Sequence, residues 1–363
     1  MDDRTASDAL ELLEKLSQAH GAPGLENEVR RIFRSELGDG VTTDRAGDII
    51  CEVKGTSDSP RIMVAAHMDE VGLMVQSVTS AGLLRFVPLG GWWAHVLPAK
   101  RVRVRTRDGS EVVGVIGAKP PHFLSEAERD KLLKIEDMYI DIGARSAEEA
   151  LGLGVRVGDP IVPDSPFTRM ANPDCLLSKA FDDRAGLALV VQAARILKSM
   201  NHPNTVFAAG TVQEEVGTRG AKTAAHYIDP DIAIVVESAP GDDSPGLAEE
   251  ERQSAMGKGV QIRFMDPSTL TNRGFTEFVI ETAEKNNIRH QMAVRRKGGT
   301  DASPIHMHGA GVPTVVIAVP ARYAHTHNTI IALSDYLAAL RLILKLIETI
   351  DEKVASGFWD FSR

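Results

Sequence analysis

Two adjacent carboxylates, Glu214 and Glu215, stand where an apolar run stops in the stretch TVFAAGTVQEEVGTRGA. Bare carboxylates at the end of a buried strand are costly unless something positive sits against them. No Lys or Arg precedes them in this stretch, and Arg219 is the only nearby cation. A bound metal would supply the charge. Four other apolar runs stop at a residue able to bind metal: His67 after RIMVAA, Asp182 after LLSKAF, Glu237 after DIAIVV and His325 after PTVVIAVPARYA. In open α/β sheets functional groups gather beyond the carboxyl ends of the strands. That rule puts all five in one crevice. Two His and three carboxylates are too many for one tetrahedral zinc. They suit two ions that share a bridging carboxylate, ~3.5–4 Å apart. Each ion then takes one His, one terminal carboxylate and the shared one, leaving an open position for water. One of the paired Glu would ligate and the other accept a proton from water that the ion has acidified toward a pKa of ~7. Asp69, two residues after His67, is placed to accept the free imidazole N–H and fix the tautomer.

The elements that must position these residues follow from periodicity. Residues 6–19 carry Ala6, Leu10, Leu13 and Leu16 at helical spacing, and Glu26 to Leu37 forms a second amphipathic helix closed by Gly38. Ile49–Val53 and Arg61–Ala66 read as strands. From about Val71 the texture changes to short β-like runs. RVRVRTRDGSEVVGVIG alternates on either side of Asp108-Gly109, a hairpin signal. Arg101, Arg103, Arg105 and Arg107 share one face of it, read as a solvated face or, alternatively, a charged interface in an oligomer. Ser125–Leu133 reads as a short helix. After about Pro166 strands and helices alternate again. RAGLALVVQAARILKSM is apolar enough to be a buried helix. A helix follows the Glu pair, Phe275–Asn287 is another, and Ser334 can cap a last one through about Ile350. The predicted architecture is α/β, an α/β/α mixed-sheet domain made of residues 1–69 and 166–363. A small β domain of residues 70–165 is inserted into it.

Composition excludes several classes. The chain has 363 residues, 43% of them hydrophobic, and a net charge of −9. No block of Lys/Arg suggests nucleic acid or an anionic membrane as partner. Two cysteines, Cys51 and Cys175, allow neither a disulfide framework nor a cysteine-rich zinc site, and suit a reducing cytoplasm. The acidic opening MDDRTASDAL lacks the pattern of a signal peptide.

AAHMDEVGLMV, KAFDDRAG, TVQEEVGTRGA, VVESAPGDDSPG, RKGGTDASPIHMHGAGVPT and RYAHTH occur in the order and spacing of the tetrahedral (TET) dinuclear metalloaminopeptidases. That family includes glutamyl aminopeptidases and FrvX-like proteins, some labelled endoglucanases. The resemblance extends into the insert, through PLGGWWAHVLPAKRVRV, GVIGAKPPH and EDMYIDIGA. It implies that Asp182 bridges two ions, with His67 and Glu237 completing one site and Glu215 and His325 the other. Glu214 is then the general base, and Asp69 supports His67. The family often has Asp where this chain has Glu237, and His327 stands two residues beyond His325. The resemblance further implies a PDZ-like dimerisation insert and a homo-oligomer, often a dodecamer built from dimers.

The expectation is a cytoplasmic enzyme that removes N-terminal residues from short peptides, using zinc or cobalt, or else manganese. Water between the ions attacks the carbonyl, and Glu214 passes its proton to the leaving amine. Two alternatives are a glycosidase, which needs paired carboxyls but no His ligands, and a metal-dependent deacylase of small amides. Other residues are read as structural. Asp183 is a cap for the following helix, and Asp243 supports the turn after Glu237. Asp301 is a cap or turn residue, or shapes the substrate end of the crevice. His306 and His308 are packing or surface residues. His122 is a loop residue or, by resemblance, a contact to a neighbouring subunit. Trp92 and Trp93 belong to core or interface.

Overall fold

The structure is a computed structural model and describes residues 3–360; the first two residues of the acidic opening lie outside them. Among the described residues a mixed twelve-stranded sheet forms the centre. Four neighbouring strands run parallel, in the spatial order Thr205–Thr211, Arg61–His67, Ile232–Pro240 and Thr314–Arg322. Antiparallel strands flank them: Ile49–Lys54 against the first, Val260–Asp266 and Thr329–Ala332 against the last.

Both faces of the parallel strands are covered, which is why they read as continuous apolar runs. Successive residues of Arg61–His67 alternate between two cores: Ile62, Val64 and Ala66 in one, Met63 and Ala65 in the other. Helices Asp3–Gln18, Asn27–Leu37, Phe181–Leu197, Arg273–Lys285 and Leu333–Thr349 pack over the first core. Arg219–Ile228 and the short Ala302–His306 pack over the second. This is the expected α/β/α arrangement. No helix among the described residues is long and apolar enough to cross a membrane.

The β-rich stretch closes into a six-stranded barrel of Gly72–Val78, Leu84–Leu89, Tyr139–Asp141, Glu111–Gly117, Arg101–Arg105 and Pro160–Pro163, in spatial order. Leu73, Phe86, Val102, Val104, Ile140 and Ile161 fill it. Closure removes the exposed edges that six short strands would otherwise present. The Asp108-Gly109 hairpin forms as expected, with Arg105 opposite Glu111.

Several details differ from the expectation. The arginine face of the hairpin is not simply solvated. Arg105 reaches Glu28 at 2.6 Å and Glu111 at 2.8 Å, and Arg103 reaches the Gln18 carbonyl at 3.4 Å, so this face meets the first two helices. The 125–133 helix is one turn, Glu126–Arg129, held by a Ser125 capping box. Ser334 lies inside its helix, and Asp174 accepts both its N–H and its hydroxyl.

A buried ion network unread from the sequence ties the barrel's entry point to the sheet. Lys179 donates to both oxygens of Glu70, at 2.6 and 2.8 Å. Arg184, fully buried, donates to the carbonyls of Met68, Leu16, Ala19 and Gly21 and to Glu70. A guanidinium can satisfy so many acceptors because its five N–H groups form a fixed fork. Removing it leaves Glu70 with Lys179 alone and takes the guanidinium donor from the Met68 and Leu16 carbonyls. Arg184→Met should therefore cost about 1–3 kcal/mol for each carbonyl left without a donor, read from the denaturation midpoint. A variant as stable as the parent would show that the network does not hold this corner of the fold.

Candidate metal centre

The carboxyl ends of the four parallel strands open into one cleft. His67 is the last residue of Arg61–His67 and pairs in register with Thr211. Glu214 and Glu215 follow Thr205–Thr211 by three and four residues. Glu237 sits within Ile232–Pro240, just past Val235, where pairing with Arg61–His67 stops. Its strand does not end there, as the sequence suggested; it continues to Pro240 along Thr314–Arg322. His325 lies three residues beyond that strand, at φ 58°. Asp182 opens the helix Phe181–Leu197 with non-helical backbone angles.

These residues form two groups that share Asp182. His67, Asp182 and Glu237 make one, and Asp182, Glu215 and His325 the other; within each, the donor atoms lie within 4.8 Å of one another. The two oxygens of Asp182 divide between the imidazoles: Oδ1 is 3.3 Å from His67 Nε2 and Oδ2 is 3.4 Å from His325 Nε2. Glu237 lies 3.6 Å from His67, and Glu215 3.5 Å from His325. Glu214 stands at the rim of the first group, 3.9 Å from His67 Nε2.

Asp69 does more than the sequence suggested. Its backbone carbonyl accepts from His67 Nδ1 at 3.0 Å, while its carboxylate lies 3.5 Å from that nitrogen. The carboxylate instead accepts the backbone N–H groups of Glu214 and Glu215, each at 3.0 Å. One buried side chain thus fixes both the imidazole and the turn that carries the Glu pair. The inserted barrel contributes as well: the Gly91 carbonyl accepts from His325 Nδ1 at 2.7 Å. Close approach requires glycine here. A Cβ on Gly90, at φ +90°, would stand 2.9 Å from Val71 and 3.1 Å from Glu215. The Gly-Gly of PLGGWW was the only trace of this in the sequence.

Charge is dense and poorly compensated. Among the described residues no Lys or Arg forms a salt bridge with Asp182, Glu214, Glu215 or Glu237, and Arg219 turns to Gln213. Burial pushes Glu214 well above the ordinary carboxylate range and Glu215 up to about 8. Burial also opposes charge on the two imidazoles, but the carboxylates win. Asp182, Asp69 and Glu237 raise His67, and Asp182 and Glu215 raise His325 to about 10. Asp182 is depressed, because His325 and His67 outweigh its burial. Glu215 Oε1 is buried without a partner.

The remaining candidates separate cleanly. Asp183 accepts from Gly186 N–H at 3.1 Å, the expected cap. Asp243 pairs with Arg322, at 2.8 Å from Nε. Asp301 makes no side-chain cap; it lies fully inside, hydrogen-bonded to Thr211, and burial lifts it to about 7. His306 and His308 bond to Ala302 and Asp229, away from the groups. His327 packs on Trp92, with ring centroids 5.5 Å apart, and joins neither group. Trp93 and His122 are exposed. Sequence reasoning missed the far wall of the cleft, a cavity of about 460 Å³ that Arg263, Arg295 and Lys297 also line. Arg295 and Lys297 share one loop and Arg263 comes from a strand some thirty residues earlier, so no local pattern joins all three.

Residues 47–342 match the M42 glutamyl aminopeptidase family. The glutamyl aminopeptidase of Lactococcus lactis is 35% identical over 95% of this chain and 99% of its own. A TET aminopeptidase from the marine sediment archaeon Thaumarchaeota archaeon SCGC AB-539-E09 superposes with a TM-score of 0.94 at 44% identity, covering 97% of this chain and 99% of the other. The TET1 peptidase of Pyrococcus horikoshii, described as able to assemble into a tetrahedron or a large octahedral shell, superposes at 0.85 with 34% identity over 94% and 100%. A match across this much of the fold, with the cleft intact, makes the chain a member of the M42 aminopeptidase family and a peptide-bond hydrolase.

Proposed function

We propose that the chain is a dinuclear-metal aminopeptidase that releases N-terminal residues from short peptides, with Glu214 as general base. The observation that carries this reading is the pair of donor groups meeting at Asp182. The residues fit two divalent cations. Acids held above their ordinary range by burial, a partnerless buried Glu215 oxygen and two inward imidazoles form a set that lacks only positive charge. His67 and Glu237 would hold one ion with Asp182, and Glu215 and His325 the other. The nitrogen and oxygen donors suit zinc or cobalt, with manganese a third choice. When bound, the ions supply an acidified water and polarise the peptide carbonyl. Glu214 takes a proton from the attacking water on its carboxylate and delivers it to the leaving amine nitrogen. Asp69 positions Glu214 through its backbone N–H.

Arg263, Arg295 and Lys297 support an acidic side chain on the residue released. Arg263 is tied to Asp266 and Arg295 to Asp242, each at 3.0 Å. Lys297 is exposed and makes no salt bridge among the described residues, which leaves it free for substrate. We further read the chain as cytoplasmic, since Cys51 and Cys175 are free thiols. We read it also as a homo-oligomer, a dodecamer built from dimers, by analogy with its assembling relatives.

Three outcomes are expected. Glu214→Gln should lower kcat about 10²–10⁴-fold while metal analysis of the purified variant stays at the parental value. Near-parental turnover would remove Glu214 from the mechanism, and activity that survives chelation would remove the metals. Lys297→Ala should cut kcat/KM for an N-terminal Glu substrate about tenfold, as expected for a lost charge-assisted contact of 1–2 kcal/mol, and spare a Leu substrate. Equal losses on both would argue against an acidic preference.

The third outcome concerns pH. Glu215 rises from 4.5 to about 8 and His325 from 6.5 to about 10. Both bind protons more tightly folded than unfolded, so stability falls as pH climbs through each window. Metal-stripped protein should therefore lose thermal stability between about pH 5 and 10, and added divalent metal should reverse that slope. Asp182, depressed in the folded state, acts in the opposite sense but only below about pH 4. A metal-free melting temperature that rises with pH across the window would contradict this charge balance.

A further inference from the structure

A second cavity, of about 510 Å³, lies at the seam between the start of the helix Asn27–Leu37, with the loop before it, and the barrel. It shares no lining residue with the metal-centre cleft. We propose that it is a binding site for a small phosphate-bearing molecule, held by Arg31, Arg105, Arg107, His20 and the first turn of the helix Asn27–Leu37.

Three independent features meet there. The helix of 11 residues begins without a side-chain cap. Its capping residue, Glu26, points its carboxylate elsewhere, to the N–H groups of Gly24 at 2.7 Å and Gln213 at 3.2 Å. The first-turn N–H groups are therefore left for another acceptor, and an anion is the natural one. His20 lines the cavity while only 3% exposed, and its Nε2 has no hydrogen-bond partner. Lys179, Arg105, Arg103 and Arg184 all bear on that ring. Burial first, and then these four cations, keep the ring neutral, so one ring nitrogen can donate to an oxyanion without adding charge. Finally, Arg31 and Arg107 are exposed at the cavity and form no salt bridge among the described residues.

The wall also holds acids, and they are already engaged. Glu28 pairs with Arg105 at 2.6 Å, and Asp159 accepts the Arg156 N–H at 2.7 Å. Arg105 keeps a buried Nε without a partner beyond that pair. Arg105 is held by Glu28 and Glu111, so the unpaired charge at the cavity is that of Arg31 and Arg107; two free guanidiniums beside an uncapped helix start favour a multiply charged oxyanion over a single carboxylate. Leu25, Val157 and Pro160 complete the wall and leave apolar surface for the body of the molecule.

The test is calorimetric titration of the metal-loaded protein with inorganic phosphate at fixed ionic strength, beside the Arg31→Ala/Arg107→Ala double variant. The parent should bind one phosphate per chain that the variant binds at least tenfold more weakly. The variant's phosphate-free peptidase activity should be unchanged. Both arginines are exposed and unbridged, so the variant should fold; His20→Phe, which removes the ring nitrogens, should weaken the same event. If parent and double variant titrate alike, any phosphate is going to the metal centre and the seam site does not exist. The readout is binding, so the proposal stands or falls apart from the metallopeptidase reading.

Discussion

The carboxylate of Asp182, set between two imidazoles, is the constraint around which this molecule is arranged. Its oxygens face His67 and His325 at nearly equal distances, and each imidazole brings its own second acid. Charge packed this tightly is stable only if every member is held, because groups that share one site repel as readily as they pair. The surrounding hydrogen bonds supply that hold. Asp69 grips the Glu turn by two N–H groups and His67 by its carbonyl, and Gly91 grips His325.

Backbone strain is concentrated at the same place. Among the described residues, eight non-glycine residues have positive φ, and Ala180, Gln213, Thr218, Tyr323 and His325 flank the cleft. Left-handed backbone costs of order 1–3 kcal/mol per residue. The two apolar cores and the Glu70–Lys179–Arg184 network oppose that cost from below. Rigid strands lie under strained turns, so the reactive groups are fixed while the cleft stays open above them.

Much of this was legible in the sequence because its signal was physical and local. Apolar runs that stop at His or acid residues mark where the strands reach the cleft, although Glu237 lies within its strand and Asp182 at a helix start, and parallel strands deliver such residues to one side. The barrel was legible as short alternating runs around Asp108-Gly109. What escaped depends on distant partners. Arg103 and Arg105 looked like a solvated stripe because Glu28 and Gln18 lie about eighty residues away in the chain. Asp69 looked like a partner for His67 because the two are neighbours; the N–H groups it clamps belong to a turn on the far side of the insert. Glu70 stands beside Asp69, and Lys179 and Arg184 lie more than a hundred residues later, so only the fold reveals that they pair.

The contact between Gly91 and His325 also bears on modularity. A barrel spliced into a surface loop resembles a detachable accessory, open to exchange or loss. Here one of its loops orients an imidazole that belongs to the host sheet. Shortening the insert to a simple linker would leave that ring free to rotate even if the sheet refolded around the gap. The two parts are therefore bound to drift together, and a barrel borrowed from a relative would serve only if its glycine turn arrived at the same height.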